Sequence, residues 1–209
     1  MMSVLSSLAN SQGRRDEEPN KELARHIVDK NDTTAVEELV QLLQHKDKNI
    51  QSDSIKVLYE VGVEKPELLA PYIKVFVQLL HIKNNRLVWG AMAALNAVAT
   101  VKAEEVYQNL SLILDAANKG SVIAKDHAVK IMVQLAKVPA YTSDTLTLLI
   151  DQLKDAPLNQ LPSYVELTAT VVTSEHKTEL SRVLQQRLPE VEQESKCKRL
   201  EKVLKKLQK

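Results

Sequence analysis

The sequence of 209 residues contains little cysteine, glycine or aromatic side chain, and each shortage excludes a class of protein. Its single cysteine, Cys197, cannot form an internal disulfide, which excludes a secreted scaffold held together by disulfides. Four glycines leave little for phosphate-binding loops or for the tight turns of a β-sheet protein. The sequence also lacks an apolar run of about 18 residues and the apolar stretch of a signal peptide, so we expect a cytoplasmic protein.

The residues that are present favour a helical protein with a hydrophobic core. Hydrophobic residues make up 44% of the chain and charged residues 26%, which argues against disorder except at the ends. The 28 basic and 27 acidic residues nearly balance, but they are unevenly distributed. Residues 195–209 contain seven Lys or Arg and one Glu, so a basic C-terminal segment follows a slightly acidic body.

Internal repetition is the strongest pattern in the chain. The segment LVQLL at residues 39–43 recurs as FVQLL at residues 76–80, about 37 residues later. Two further shifts of similar length align the apolar positions of a third and a fourth copy. The pattern predicts four copies of one unit over residues 34–174.

Each unit contains two segments with helical periodicity, separated by a short polar turn. In the second unit, Leu87, Met92 and Leu95 fall on one face at about 100° per residue, whereas a strand would alternate with period two. Thr34 followed by Glu37 has the spacing of a capping box at a helix start. We predict helices over residues 20–30, 34–45, 49–62, 67–82, 86–100, 103–117, 121–137, 142–154, 161–174, 177–187 and 190–208.

The segment KPELLAPYIKVFVQLLHIKNNRLVWGAMAALNAVA, at residues 65–99, resembles a HEAT repeat. The shared features are a proline-containing helix start, an apolar first helix, a polar turn and a second helix rich in small residues. The resemblance covers about two thirds of the chain and implies an α-solenoid whose second helices line a concave face. We predict an all-α, right-handed solenoid in one domain over residues 19–209, with C-terminal capping helices over 175–209 and a flexible N-terminal arm over 1–18.

The two ends of the predicted solenoid have different compositions. A helix over residues 20–30 is a candidate N-terminal cap, and the arm before it offers only Val4, Leu5 and Leu8 for apolar contact. We therefore expect removal of the arm to leave stability nearly unchanged.

The last predicted helix has Leu200, Val203, Leu204 and Leu207 on one face and mostly lysine on the other. It is either a capping helix with a solvated outer surface or a basic amphipathic helix that binds an anionic membrane surface or nucleic acid. We favour the cap, because the ends of a solenoid need polar outer faces whatever its function.

Patterns of catalytic and metal-binding residues are lacking. None of the five histidines has a second His or Cys three or four residues away, the spacing that places two metal ligands on one helix face. Cys197 has no histidine base nearby in the sequence, and no phosphate loop, nucleophile elbow or dinucleotide motif occurs. A DNA-glycosylase subclass built on HEAT-like repeats uses aromatic residues with a carboxylate, whereas no aromatic cluster surrounds Trp89. We predict that the protein is not an enzyme and holds no metal or cofactor.

Trp89 is the residue that most strongly suggests a binding site. On a helical wheel it lies away from the core stripe, beside Gly90, Ala93, Asn96 and Ala97. Either this face is covered and Trp89 packs into the core, or Trp89 is an exposed anchor for a partner. In the second case the partner-binding concave face comprises Tyr59, Trp89, Ala93, Asn96, Lys130 and Glu166.

The turns between the paired helices are basic, and the opposite edge is acidic. In a stack of repeats these turns align as a basic rim formed by Lys46, Lys48, Lys83, Arg86, Lys119 and Lys154. Cations near helix C-termini also follow from the helix dipole alone. The sequence therefore favours a scaffold or adaptor that binds a protein or peptide. The alternative is a nucleic-acid-associated protein that uses the basic rim and the basic C-terminal helix.

Overall fold

The structure is a computed structural model that describes residues 3–208. Within these residues it contains α-helices and short 3-10 turns and no strand, which confirms the predicted all-α class. The α-helices are α1 (Glu18–Lys30), α2 (Thr33–Leu42), α3 (Lys48–Glu64), α4 (Ile73–Leu79), α5 (Asn85–Val98), α6 (Ala103–Gln108), α7 (Leu110–Lys119), α8 (Val122–Leu135), α9 (Thr142–Lys154), α10 (Leu161–Ala169), α11 (Lys177–Arg187) and α12 (Glu194–Leu207).

Two predicted helices are interrupted in the structure. The helix expected over residues 67–82 is instead two 3-10 turns, Pro66–Leu68 and Ala70–Tyr72, followed by α4. Both turns contain a proline, which has no backbone N–H and therefore cannot donate within a continuous helix. The helix expected over residues 103–117 breaks at Asn109, between α6 and α7.

The start of α2 also differs from the prediction. The capping box assigned to Thr34 and Glu37 is wrong, because α2 begins one residue earlier and is capped by Asp32. The Asp32 carboxylate accepts a hydrogen bond of 2.9 Å from the backbone N–H of Ala35. An aspartate is as good an N-cap as a threonine, so spacing alone did not distinguish the two.

The chain divides into two compact units, Met1–Ala128 and Val129–Lys209, where the sequence predicted one continuous domain from residue 19. In the first unit α3 packs against α1, α2 and α5, and α4 packs against α5. In the second unit α10 packs against α9 and α12, and α11 packs against the same two helices. Helix pairs of this kind are the building blocks of an α-solenoid.

Helices α3 and α5 of the first unit approach each other closely at Gly90. A Cβ atom at this position would lie 2.2 Å from Cγ1 of Ile55, so only glycine fits without movement. Leu58 of α3, Phe76 of α4 and Met92 of α5 are fully buried and belong to the core of this unit. The close approach fixes the side-by-side arrangement of α3 and α5.

The N-terminal segment packs against the first unit, which does not agree with the flexible arm predicted over residues 1–18. Val4 and Ala9 are buried and Leu8 is 0% exposed. The backbone N–H of Asn10 donates to Oδ2 of Asp53 at 2.7 Å, and the side chain of Asn20 donates to Oδ1 of Asp53 at 2.8 Å. Residues 1 and 2 of the predicted arm, like residue 209 of the predicted cap, lie outside the described residues.

Candidate partner-binding face

One narrow strip of α5 reaches the surface. Beyond its first residue, only Arg86, Trp89, Ala93 and Asn96 of this helix keep appreciable exposure, and each is half-buried. Their spacing of three and four residues places them on one side of the helix. Trp89 therefore lies on the outer strip predicted by the helical wheel, but its indole is neither fully exposed nor packed into the core.

The strip is narrower than the wheel predicted. Gly90 and Ala97, expected on the same face, are buried. Gly90 is covered by Ile55 of α3, and Ala97 lies next to the close contact at Gly62. A helical wheel contains no information on how closely a neighbouring helix approaches, so it overestimated the width of the face.

Helix α3 contributes the other half of this surface. Tyr59 is half-buried, and the ammonium group of Lys56 lies 4.8 Å from the centre of its ring, a cation–π contact. We call the surface formed by Lys56, Tyr59, Arg86, Trp89, Ala93 and Asn96 the α3–α5 face.

A charge cluster forms one end of the α3–α5 face. The Lys56 side chain is 8% exposed, and its ammonium group lies 2.9 Å from Oε2 of Glu17 and 2.7 Å from Oε1 of Glu60. Arg86 donates to the other carboxylate oxygen of Glu17. Glu17, the residue just before α1, thus pairs with one cation from α3 and one from α5. These two ion pairs connect the three helices.

The cluster shifts the ionisation of its members. Burial by itself lowers the pKa of the Lys56 ammonium, but hydrogen bonds to Glu60, Tyr59 and Glu17 outweigh burial, so the pKa is raised. The hydrogen bond from Lys56, assisted by one from Arg86, holds the pKa of Glu17 below its ordinary value. Lys56 and Glu17 are therefore both charged at neutral pH.

The opposite end of the face contains an unsatisfied acceptor. The side-chain oxygen of Asn96 is buried and has no hydrogen-bond partner among the described residues. Buried polar atoms are nearly always hydrogen-bonded, so the hydrogen bonding at this end of the face is less complete than at the charged end.

The remaining two predicted partner-binding residues belong to the second unit. Lys130 is exposed on α8, and Glu166 is exposed on α10. The guanidinium of Arg199 donates to Glu166 at 2.9 and 2.7 Å, and this bidentate pair holds the pKa of Glu166 below its ordinary value. In the first unit Trp89, Ala93 and Asn96 share one strip of α5 and Tyr59 lies on the neighbouring α3, and all six residues stay predictions as a binding site.

Half of the predicted basic rim is neutralised within the chain. Arg86 pairs with Glu17, Lys119 with Asp115 at 2.8 Å, and Lys154 with Asp151 at 2.8 Å. The other members, Lys46, Lys48 and Lys83, are exposed and form no ion pair within residues 3–208. Lys119 and Lys154 end α7 and α9, as the helix-dipole explanation expects, whereas Lys48 and Arg86 lie in the first turns of α3 and α5, where it does not apply.

Metal clusters and membrane-spanning helices are both absent from the part of the chain that the structure describes. Residues 3–208 contain no group of three or more His, Cys, Asp or Glu side chains placed to hold a metal ion. None of the described helices is long and apolar enough to cross a lipid bilayer.

No protein-family model matches the sequence, and no curated protein is similar to it at a significant level. Solved structures are similar to it in fold. Computationally designed armadillo repeat proteins for modular peptide recognition align with a TM-score of 0.66 and 16% identity over 98% of this chain and 99% of theirs. A designed armadillo repeat protein in complex with the peptide (KR)4 aligns with a TM-score of 0.65 and 16% identity over 98% and 89%. The archaeal HEAT-like repeats protein from Thermococcus onnurineus NA1 aligns with a TM-score of 0.51 and 14% identity over 92% and 97%.

The chain has a HEAT/armadillo-like repeat fold. The predicted all-α solenoid is therefore confirmed, and so is the resemblance to HEAT repeats in residues 65–99. At these identities the similarity extends to the fold alone.

Sequence reasoning missed the role of Glu17, which pairs with Lys56 and Arg86 of the α3–α5 face. It also missed the contact between Asn20 and Asp53, which attaches the N-terminal segment. In both cases the partners lie more than 30 positions apart, and a polar pair at such a separation leaves no periodic pattern in a sequence.

Proposed function

We propose that this protein is a non-enzymatic interaction scaffold whose α3–α5 face binds a protein or peptide partner. The observation that carries the proposal is the half-buried Trp89, which lies on a surface strip with Ala93 and Asn96. An aromatic side chain beside small residues offers a large apolar contact at little cost in conformational entropy, as hot-spot residues of interfaces do. We also propose that the protein acts in the cytoplasm, as expected from the sequence.

The fold supports the same class of function. HEAT/armadillo-like solenoids are typically scaffolds rather than enzymes, and the designed armadillo proteins similar to this chain include peptide-recognition proteins. One of those designs binds a peptide of Lys and Arg. On the α3–α5 face Lys56 and Arg86 are both paired with Glu17, so the strip with Trp89 is the part left for a partner. We therefore propose a partner that contributes an apolar side chain to this strip.

Substitution of Trp89 tests the proposal. Immobilised wild-type protein and the Trp89→Ala variant are used to capture partners from the native source, and captured proteins are identified and titrated. The matched control is Leu112→Ala, which removes an apolar side chain that is 37% exposed and lies on α7, outside the α3–α5 face. We expect at least tenfold weaker capture by Trp89→Ala and unchanged capture by Leu112→Ala, with both variants folded by circular dichroism. Equal capture by all three proteins would refute a role for this face.

A further inference from the structure

Helices α1 and α12 differ in their net charge. Helix α1 carries three acidic and three basic residues over Glu18–Lys30, and Glu18 lies 3.8 Å from Lys21 and 3.3 Å from Arg25. Helix α12 carries two acidic and six basic residues over Glu194–Leu207. Helix α12 thus has an excess of four cations, whereas the charges of α1 balance.

These cations lie on the side of α12 that faces away from the second unit. Leu200, Val203 and Leu207 are buried, and the helix packs against α10 and α11. On the opposite side an open groove is lined by Lys198, Glu201, Lys202, Lys205 and Lys206. We call Lys198, Lys202, Lys205 and Lys206 the α12 lysine face.

Most charges of the α12 lysine face are not neutralised within the chain. Lys198 lies 2.6 Å from Glu194, but Lys202, Lys205 and Lys206 form no ion pair among the described residues. Glu201 lies in the same groove, and the nearby carboxylate of Glu166 is already engaged by Arg199. The three exposed ammonium groups of Lys202, Lys205 and Lys206 thus remain available on about one and a half turns of helix.

We propose that the α12 lysine face binds the phosphate backbone of a nucleic-acid duplex without reading its sequence. Lys198, Lys202 and Lys206 succeed one another at intervals of four residues, so they form a row about 12 Å long at 1.5 Å per residue. A duplex carries one phosphate per roughly 1.7 Å of axis, so several phosphates lie within reach of this row.

The same helix argues against two other anionic partners. A helix that lies in a membrane surface inserts its apolar side chains between lipids, but the apolar side chains Leu200, Val203 and Leu207 are buried in the protein. Proteins that hold unpaired strands stack the bases on aromatic side chains, and α12 contains no aromatic residue. Electrostatic attraction is therefore the remaining source of binding. The regularly spaced phosphates of a duplex backbone fit this kind of binding best.

Fluorescence anisotropy with a fluorescein-labelled 20-base-pair DNA duplex, on the order of two helical turns, tests the proposal at several salt concentrations. The test variant is Lys202→Glu/Lys205→Glu/Lys206→Glu. The matched control is Lys46→Glu/Lys48→Glu/Lys83→Glu, which reverses the same number of exposed lysines that form no ion pair within residues 3–208. Because all six side chains are exposed, both variants should fold, and the corresponding Lys→Gln triple variants replace any that does not.

We expect the wild-type affinity to fall with salt, with a slope near −3 in log–log form for about three neutralised phosphates. The α12 variant should bind at least tenfold more weakly, whereas the control variant and Trp89→Ala should stay within about twofold of wild type. An equal loss in the Lys46/Lys48/Lys83 variant, an unchanged affinity in the α12 variant, or no duplex binding at low salt would overturn the proposal. Binding to phosphatidylserine vesicles without binding to the duplex would also overturn it, in favour of a membrane surface.

Discussion

The two ends of the chain are attached to the fold in different ways. At the C-terminus, α12 buries an apolar side whose residues Leu200, Val203 and Leu207 repeat at helical spacing. At the N-terminus, residues 3–17 have no such repeat and bury only Val4, Leu8 and Ala9. Polar contacts add to the attachment: backbone N–H groups of the segment donate to Glu38, Asn20 and Asp53, and Glu17 pairs with Lys56 and Arg86. An end attached by periodic apolar residues can be predicted from a sequence, whereas an end attached by polar pairs cannot.

Leucine truncation at both ends gives the largest expected effect. Leu8 is 0% exposed and Leu200 is 1% exposed, so Leu8→Ala and Leu200→Ala should each cost about 2–5 kcal/mol of unfolding free energy. Urea denaturation measures both values. An ordinary surface substitution lowers the unfolding free energy by less than about 0.5 kcal/mol. A loss of that size for Leu8→Ala alone would support the flexible arm predicted from the sequence.

Removal of the Asp53 carboxylate should have the next largest effect. Asp53→Ala eliminates the acceptor for Asn10 and for the side chain of Asn20, and hydrogen bonds to a charged group are worth about 1.5–3 kcal/mol. Thermal denaturation and limited proteolysis of residues 3–17 measure the result. An unchanged melting temperature together with unchanged protease resistance would show that Asp53 is not needed to hold the segment.

The N-terminal charge cluster should make stability sensitive to acid. The pKa of Glu17 is lowered in the folded state from an ordinary value of 4.5, so its stabilising contribution is complete above pH 4.5 and is lost as the pH falls through the folded pKa. We expect the urea midpoint of the wild type to fall more between pH 6 and pH 3 than that of Glu17→Gln. Parallel pH profiles would mean that Glu17 contributes no stabilisation through Lys56 and Arg86.

The smallest expected effect concerns the ion pair that attaches α12. Glu166 and Arg199 are both largely exposed, and exposed pairs contribute about 0.2–1 kcal/mol. Glu166→Gln should therefore lower the unfolding free energy by less than Asp53→Ala does, as measured by urea denaturation. An effect as large as that of Asp53→Ala would show that the two ends of the chain depend equally on polar contacts.

The fold could be predicted where the periodic spacing of apolar residues determines it. The bounds of α9 and α11 agree with the prediction, since apolar spacing marks the body of each helix. The first half of the second repeat was predicted as one helix because the wheel pattern continues through Pro71 into α4. The break at Asn109 and the cap at Asp32 depend on local hydrogen bonds, for which several residues are equally suitable.

The candidate site could be predicted in part for the same reason. The strip with Trp89, Ala93 and Asn96 follows from helical spacing and agrees with the structure. Its width does not follow from spacing, because Gly90 is covered by Ile55 of another helix. The charge cluster around Lys56 depends on Glu17, which sequence patterns assigned to a flexible arm.

Iodide quenching of tryptophan fluorescence tests the partner-binding role of the α3–α5 face most directly, because Trp89 is the only tryptophan in the chain. The half-buried indole should be partly quenched in the free protein and become protected when the captured partner is added. Complete protection in the free monomer would contradict the account, since a buried indole cannot serve as an anchor, and so would quenching that the partner leaves unchanged.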